Sequence, residues 1–135
     1  MKGQSALEYM MILGMVLLML IPLAAYTWNQ SDQTTKSRQA EIAVSSIAAA
    51  ADSIWAQGPG AKTTINVLFP NGYDSTKSLL ANRTIVLRFS SSSGDQDAVA
   101  ITKANITGSL PSSNGYRQLV LEVVGSSVNV TVVGG

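Results

Sequence analysis

The 135-residue sequence contains no cysteine and no histidine. Without cysteine, the chain offers neither disulfides, nor a thiol nucleophile, nor a cysteine-ligated zinc site. Without histidine, it also lacks the most frequent general base and the most frequent metal ligand. Its many serines and threonines cannot be matched to a base. The sequence therefore argues against an enzyme, and it predicts no cofactor and no metal centre.

Charged side chains are few and nearly balanced, with nine cations, eight acids and a formal net charge of +1. Because no basic patch or tail emerges, nucleic acid is not an expected partner. The segment Gly94-Asp95-Gln96-Asp97 places two carboxylates in a predicted loop. A calcium loop requires more oxygen ligands at set spacings, so an ordinary turn is the better interpretation.

A long apolar run follows the first few residues. No charge occurs between Glu8 and Asp32, and every residue of 10–28 is apolar, Gly, Pro, Tyr or Thr. A helix over this run is roughly 28 Å long, which is close to the thickness of a bilayer core. Aromatic residues, which favour the membrane interface, lie at both ends of the run: Tyr9, Tyr26 and Trp28. We interpret 9–28 as a membrane span.

The residues ahead of the run indicate which kind of membrane segment this is. A secretory signal has its small-residue cleavage site after the apolar run, whereas here the small residue beside a charge is Gly3, before it. A cut between Gly3 and Gln4 would keep the span on the mature chain and make Glu8 its fifth residue. It would also create an amine that is cationic at neutral pH, about 6 Å from Glu8 along the helix. Glu8 could then pair with its own amine, pair with that of a neighbouring helix, or lie in the headgroup layer.

Six residues ahead of the run form a pattern with it: Lys2, Gly3, Gln4, Ser5, Glu8 and Tyr9. Over roughly the first 28 residues the chain thereby resembles archaeal type IV pilins with their class III signal peptides. The resemblance implies that a prepilin peptidase removes residues 1–3 and that Glu8 sets the register against the Gln4 amine of a neighbouring subunit.

The same resemblance implies a helical homopolymer. The subunit would be inserted in the cytoplasmic membrane until the pilus assembly machinery adds it to an extracellular adhesion filament at the cell surface. An archaellum subunit, which drives motility, is a weaker match. Archaellum leaders resemble a pattern with Gly and Ile where this chain has Ser5, Glu8 and Tyr9.

The helix is expected to extend well beyond the apolar run. Pro22 interrupts the span and is expected to kink it or to act as a flexible point. Residues 29–39 are polar, and the apolar residues after them recur at helical spacing: Ala40, Val44, Ile47, Ala51 and Ile54. Gly58-Pro59-Gly60 then ends the pattern. The sequence thus predicts one helix over 4–57, with a polar and amphipathic continuation over 29–57.

After residue 60, the apolar spacing changes to strict alternation. Alternating runs cover 63–69, 84–89, 119–123 and 128–132, with a weaker run around 99–101. The segments 70–72, 90–97, 108–115 and 125–127 are predicted turns and loops. No helix fits between the strands, so the sheet should be mainly antiparallel. We predict an α+β fold in which a head domain over 61–135, with about five strands, packs on the second half of the helix.

Four asparagines begin an Asn-X-Ser/Thr sequence, namely Asn29, Asn82, Asn105 and Asn129. This sequence accepts N-linked glycans where it is exposed to an external glycosylation machinery. Asn129 and Thr131 alternate with valines, so they should face away from the packed surface. Thr-rich strands also produce such sequences by chance, and both interpretations stay open.

Two functions fit these observations. The first is a filament subunit held together by lateral burial of apolar helix surface. The second is a membrane-anchored extracellular receptor or binding protein that never polymerises. A lone anchor has no need for an acid at Glu8, and a binding protein should cluster its aromatic residues, which are scattered here. The sequence favours the filament subunit.

Overall fold

The computed structural model describes residues Lys2–Gly134 and contains, within that range, one helix followed by seven strands. Helix α1 spans Lys2–Gln57. The strands are β1 (Lys62–Phe69), β2 (Tyr73–Ala81), β3 (Thr84–Ser91), β4 (Gly94–Ile101), β5 (Asn105–Gly108), β6 (Gly115–Val124) and β7 (Ser127–Val133). The chain divides into two units, the first ending at Gln33 and the second beginning at Thr34. The predicted α+β class is confirmed.

The helix ends where the sequence indicated. Its last residue is Gln57, and the next residue, Gly58, has φ +99°. The Gly58 amide donates to the Trp55 carbonyl oxygen at 3.2 Å, which satisfies one of the orphan acceptors at the helix end. The polar stretch 29–39 is also helical, as predicted.

The strands form two sheets rather than one. The first has the order β1-β6-β7-β5 and the second β2-β3-β4. All neighbouring strands are antiparallel except β5 and β7, which are parallel. The mainly antiparallel arrangement is therefore confirmed, and two strands, β2 and β5, exceed the predicted number. The predicted loop over 90–97 is wrong, because β3 and β4 form a tight hairpin whose last residue pair is Ser91↔Gly94.

One hydrophobic core joins the helix to both sheets within the second unit. The five residues of the predicted helical stripe are all buried, and Ala43 and Ala48 are buried beside them. Small alanines let the helix approach the sheets closely, and the strands fill the core with alternate residues: Val67, Phe69, Ile85, Leu87, Phe89, Leu119, Leu121, Val123, Val128 and Val130. The predicted packing of the head on the second half of the helix is confirmed.

The connection between β4 and β5 is fixed to its surroundings by hydrogen bonds. The Lys103 amide donates to Asp52 Oδ1 of α1 at 2.8 Å. The buried Thr102 donates its hydroxyl to the Ala104 carbonyl oxygen at 2.6 Å, while Arg83 Nε donates to the Thr102 carbonyl oxygen at 3.1 Å. These bonds hold β5 beside the turn between β2 and β3.

Gly108 of β5 lies against the backbone of Val130 in β7. Its φ is +117°, and a Cβ at this position would lie 2.0 Å from the Val130 carbonyl oxygen. A side chain would therefore force the two strands apart. We expect Gly108→Ala to lower the free energy of unfolding by about 2 kcal/mol more than Gly94→Ala does, measured by urea unfolding of the full chain in detergent.

Gly94 is the matched control because its φ is +114° but nothing lies within 4 Å of a Cβ there. Both variants carry the same backbone strain, and only Gly108→Ala adds the clash. Equal losses in the two variants would contradict the close approach of β5 and β7.

Candidate functional site

The first unit presents an unburied apolar surface. Every residue from Lys2 to Asp32 is solvent-exposed, including sixteen large apolar side chains such as Met10, Leu18 and Trp28. Within the described residues, α1 is the one helix long and apolar enough to cross a membrane. Isolated soluble proteins rarely expose apolar surface on this scale, so it requires lipid or other protein surfaces to cover it.

Glu8 lies at the N-terminal end of this apolar surface. Its side chain borders a shallow hollow formed with Met11, Ile12 and Met15, which follow it at helical spacings of three, four and seven. Gln4 lies four residues earlier, in the first turns of α1, and is exposed together with Gly3. The geometry thus places one carboxylate on a face that is otherwise apolar. Such a group needs a cationic or hydrogen-bonding partner once lipid or protein covers the face.

Pro22 lies inside α1, with helix on both sides of it. One turn later, the Thr27 hydroxyl donates to the Leu23 carbonyl oxygen at 2.9 Å. Hydroxyl groups of this kind satisfy carbonyls in apolar helices. The predicted kink or flexible point at Pro22 stays a prediction.

Two of the four predicted glycan acceptors lie close together. Asn82 occupies the turn between β2 and β3 with φ +55°, and its carbonyl oxygen accepts from the Ile106 amide at 2.5 Å. Asn105, the residue before Ile106, begins β5. Both asparagines are exposed. Folding therefore brings two acceptor sequences that are far apart in the chain to one edge of the head domain.

The other two acceptors differ in their surroundings. Asn129 lies in β7, between Glu122 of β6 and Thr107 of β5, and is half-buried on the outer face of the first sheet. Thr131 is exposed on the same face, whereas the valines at 128 and 130 are buried, so the predicted outward orientation is confirmed. Asn29 is exposed on α1 in the first unit.

The carboxylates at 95 and 97 belong to an ion network on the outer face of the second sheet. Arg88 binds Asp97 in a bidentate manner, with Nε–Oδ1 and Nη2–Oδ2 distances of 2.5 and 2.6 Å. Lys77 contacts Asp95 at 3.3 Å and Asp74 at 3.6 Å. Each carboxylate is engaged by a cation. The predicted ordinary turn over this segment is wrong, because residues 94–97 begin strand β4.

These contacts shift the pKa values of the groups involved. The Arg88 guanidinium holds the pKa of Asp97 below its usual value, and hydrogen bonds from Ser90 and then Lys77 lower the pKa of Asp95. The hydrogen bond to Asp95 also raises the pKa of Lys77. The network therefore favours the charged form of every member.

Acid should weaken the second sheet. A carboxyl group whose pKa is lower in the folded chain stabilises the fold above its unfolded pKa of about 4, and this contribution disappears as the pH falls through the folded value. We expect the full chain in detergent to unfold at lower urea concentration at about pH 3 than at about pH 7. The difference should be smaller in Asp97→Asn and at high salt, because the pair is exposed. An unchanged pH dependence in Asp97→Asn would show that this ion pair does not contribute.

Two polar atoms in the second unit are buried without a hydrogen-bond partner in the described chain, the Tyr73 hydroxyl and Arg117 Nε. Burial raises the pKa of Tyr73 to about 12, and its ring centroid lies 5.0 Å from that of Phe69. Arg117 donates from its Nη2 to Ser113 Oγ. Neither residue belongs to a motif that stands out in the sequence. The available signal was strand alternation, which places Arg117 on the same side as the buried Leu119 two positions later.

Within Lys2–Gly134, no cluster of acidic side chains is placed to hold a metal ion. No family model, no curated protein and no solved structure matches the chain. The arrangement that calls for a functional explanation is therefore the exposed apolar surface of the first unit with Glu8 at its end.

Proposed function

We propose that the chain is a structural subunit of an archaeal type IV pilus-like surface filament and that it polymerises through its N-terminal helix. The observation that carries this proposal is the fully exposed apolar stretch of α1 with a single carboxylate near its start. In lipid, this stretch is covered by acyl chains. In a filament, the same surface is covered by the corresponding stretches of neighbouring subunits.

Apolar burial supplies the free energy of assembly once the helix leaves lipid, at about 25 cal/mol per Å². Burial alone does not define how far one helix is shifted along another, because an apolar surface is similar along its length. A carboxylate that needs a cationic partner in an apolar environment does define this axial shift. In this proposal, the partner of Glu8 is the amine that cleavage after Gly3 creates on Gln4 of the next subunit.

The head domain is proposed to be the outward part of the filament and to serve in adhesion. Its surface carries the acceptors Asn82 and Asn105 at one edge and Asn129 on an outer face that is rich in neutral polar side chains. N-linked glycans at these positions would shield that surface. The exposed turn at Asn82 and the strand end at Asn105 are more accessible to a transferase than Asn129, which lies within a paired central strand.

Glycosylation is tested by intact-mass measurement of the chain from its native host, before and after chemical deglycosylation. We expect a mass excess that is removed by the treatment and that decreases in Asn82→Gln and in Asn105→Gln. Asn66→Gln is the matched control, since Asn66 is an exposed strand asparagine outside any acceptor sequence. A native mass equal to that of the bare mature chain would contradict the proposal.

The filament itself is tested by negative-stain microscopy of cells with and without the chain. Fibres that depend on the chain and contain it support the proposal. A chain that is present in the membrane of cells without such fibres would favour the anchored monomer instead.

A further inference from the structure

The chain contains two Asn-Gly pairs, and folding joins them. Asn71-Gly72 lies in the turn between β1 and β2, and Asn114-Gly115 leads into β6. Asn114 Nδ2 donates a hydrogen bond to Asn71 Oδ1 at 2.7 Å, across 43 positions of sequence. Both asparagines are exposed. Each of the other asparagines precedes a residue with a side chain: Asn29, Asn66, Asn82, Asn105 and Asn129.

The turn requires glycine after Asn71. The Tyr73 amide donates to the Pro70 carbonyl oxygen at 3.2 Å, and Gly72 has φ +83°. The Gly72 carbonyl oxygen accepts from the Ser90 amide at 2.8 Å, and a Cβ on Gly72 would lie 2.8 Å from the Ser90 carbonyl oxygen. The fold therefore demands the one residue type that leaves the backbone nitrogen after Asn71 unshielded by a side chain.

We propose that Asn71 is a site of spontaneous deamidation in the folded protein and that Asn114 accelerates it. The Gly72 backbone nitrogen attacks Asn71 Cγ, giving up its proton to solvent. The new C–N bond gives a tetrahedral intermediate. The Cγ–Nδ2 bond then breaks, and Nδ2 takes up a proton from solvent and leaves as ammonia. Water then opens the resulting succinimide ring and yields aspartate or isoaspartate. Asparagine is a thermolabile residue for such reasons.

Asn114 acts as a positioning residue in this reaction. Addition of the nitrogen to Cγ places negative charge on Asn71 Oδ1. That oxygen already accepts the hydrogen bond from Asn114 Nδ2, so the donor is in place before charge develops. The two asparagines thus have different roles. Asn71 reacts, and Asn114 stabilises the negative charge that develops on Asn71 Oδ1.

The product determines the structural consequence. Aspartate keeps the backbone and an acceptor oxygen for Asn114. Isoaspartate adds a carbon to the main chain of a turn whose next residue, Tyr73, packs on Phe69 and pairs with Phe89. This insertion should disrupt the register of Tyr73 and loosen the start of β2.

The test is peptide mapping by mass spectrometry of the full chain in detergent, incubated in mildly alkaline buffer and sampled over time. We expect Asn71 to react faster than every asparagine that does not precede glycine. In Asn114→Ala, the rate at Asn71 should fall about fivefold, the factor that one exposed neutral hydrogen bond supplies. The control Asn66→Ala should leave that rate unchanged, since Asn66 is exposed on β1 and is not the donor to Asn71.

If the mobility of the loop alone controlled the reaction, the rate at Asn71 would change in the opposite direction. If the bond merely restrained the turn, Asn114→Ala would free it and accelerate the reaction. A rate at Asn71 that is unchanged or higher in Asn114→Ala, in a chain whose urea midpoint matches the wild type, would overturn the proposal. Modification of Asn114 in place of Asn71 would overturn it as well. If the urea midpoint of Asn114→Ala is below that of the wild type, Asn114→Asp takes its place. An ionised aspartate cannot donate a hydrogen bond, so the rate at Asn71 should fall in this variant as well.

Discussion

Replacing Glu8 by glutamine is expected to reduce filament yield by roughly tenfold or more while leaving processing after Gly3 intact. The variant keeps the size of the side chain and removes the charge that we propose to pair with the neighbouring amine. Removing one partner of an ion pair in an apolar medium leaves the other uncompensated, at a cost of about 3 kcal/mol or more. The measurement is the amount of sheared surface fibre per cell, with processing followed by the mass of the membrane-bound chain.

Glu41→Gln is the control for this experiment, because Glu41 is an exposed acid on the same helix but lies in the second unit. Its yield should match the wild type. A Glu8→Gln chain that is correctly processed and forms fibres at the normal level would rule out the pairing role of Glu8.

Replacing Ile47 by alanine is expected to destabilise the head domain by about 3–4 kcal/mol. The Ile47 side chain is completely buried in the core that α1 shares with both sheets. Truncation removes apolar contacts and leaves a cavity that a close-packed core fills only in part. The free energy of unfolding is measured by urea titration of the full chain in detergent.

Ile42 provides a matched control on the same helix, since 64% of it is exposed. Ile42→Ala should change the free energy of unfolding by no more than about 0.5 kcal/mol. A similar loss in both variants would mean that the stripe containing Ile47 does not define the buried face of the helix.

The helical half of the fold follows from local rules. The stripe from Ala40 to Ile54 needs only the 3.6-residue period to identify its buried face, and Gly58 marks the helix end because it adopts a positive φ. The turn at Asn71-Gly72 and the two-residue link at Gly125-Ser126 were visible for similar reasons. In each case, the information lies within a few residues.

The missed strands depend on long-range contacts. β2 contains the polar segment Asp74–Ser78 and an irregularity in its register between Asp74 and Leu79, so apolar alternation is lost. Within this irregular stretch, the Ser78 hydroxyl of β2 accepts from the Arg88 amide of β3, and the Arg88 side chain binds Asp97 of β4. β5 has four residues and pairs in parallel with β7. No local sequence pattern predicts this pairing.

The same distinction between local sequence signals and long-range contacts applies to the candidate site. Glu8 stands out in the sequence because a carboxylate beside an apolar run is costly unless it has a partner. The bond between Asn71 and Asn114 could not be predicted, since it forms only when two distant loops meet. The position of Asn82 beside β5 likewise depends on the backbone bond to Ile106.

The most direct test of the account is the mass of the N-terminal peptide from sheared surface fibres. We expect the peptide to begin at Gln4, as glutamine or its cyclised form, and to contain Glu8 and the apolar run. Fibre subunits that begin at Met1, or that have lost the chain through Trp28, would contradict assembly through this helix.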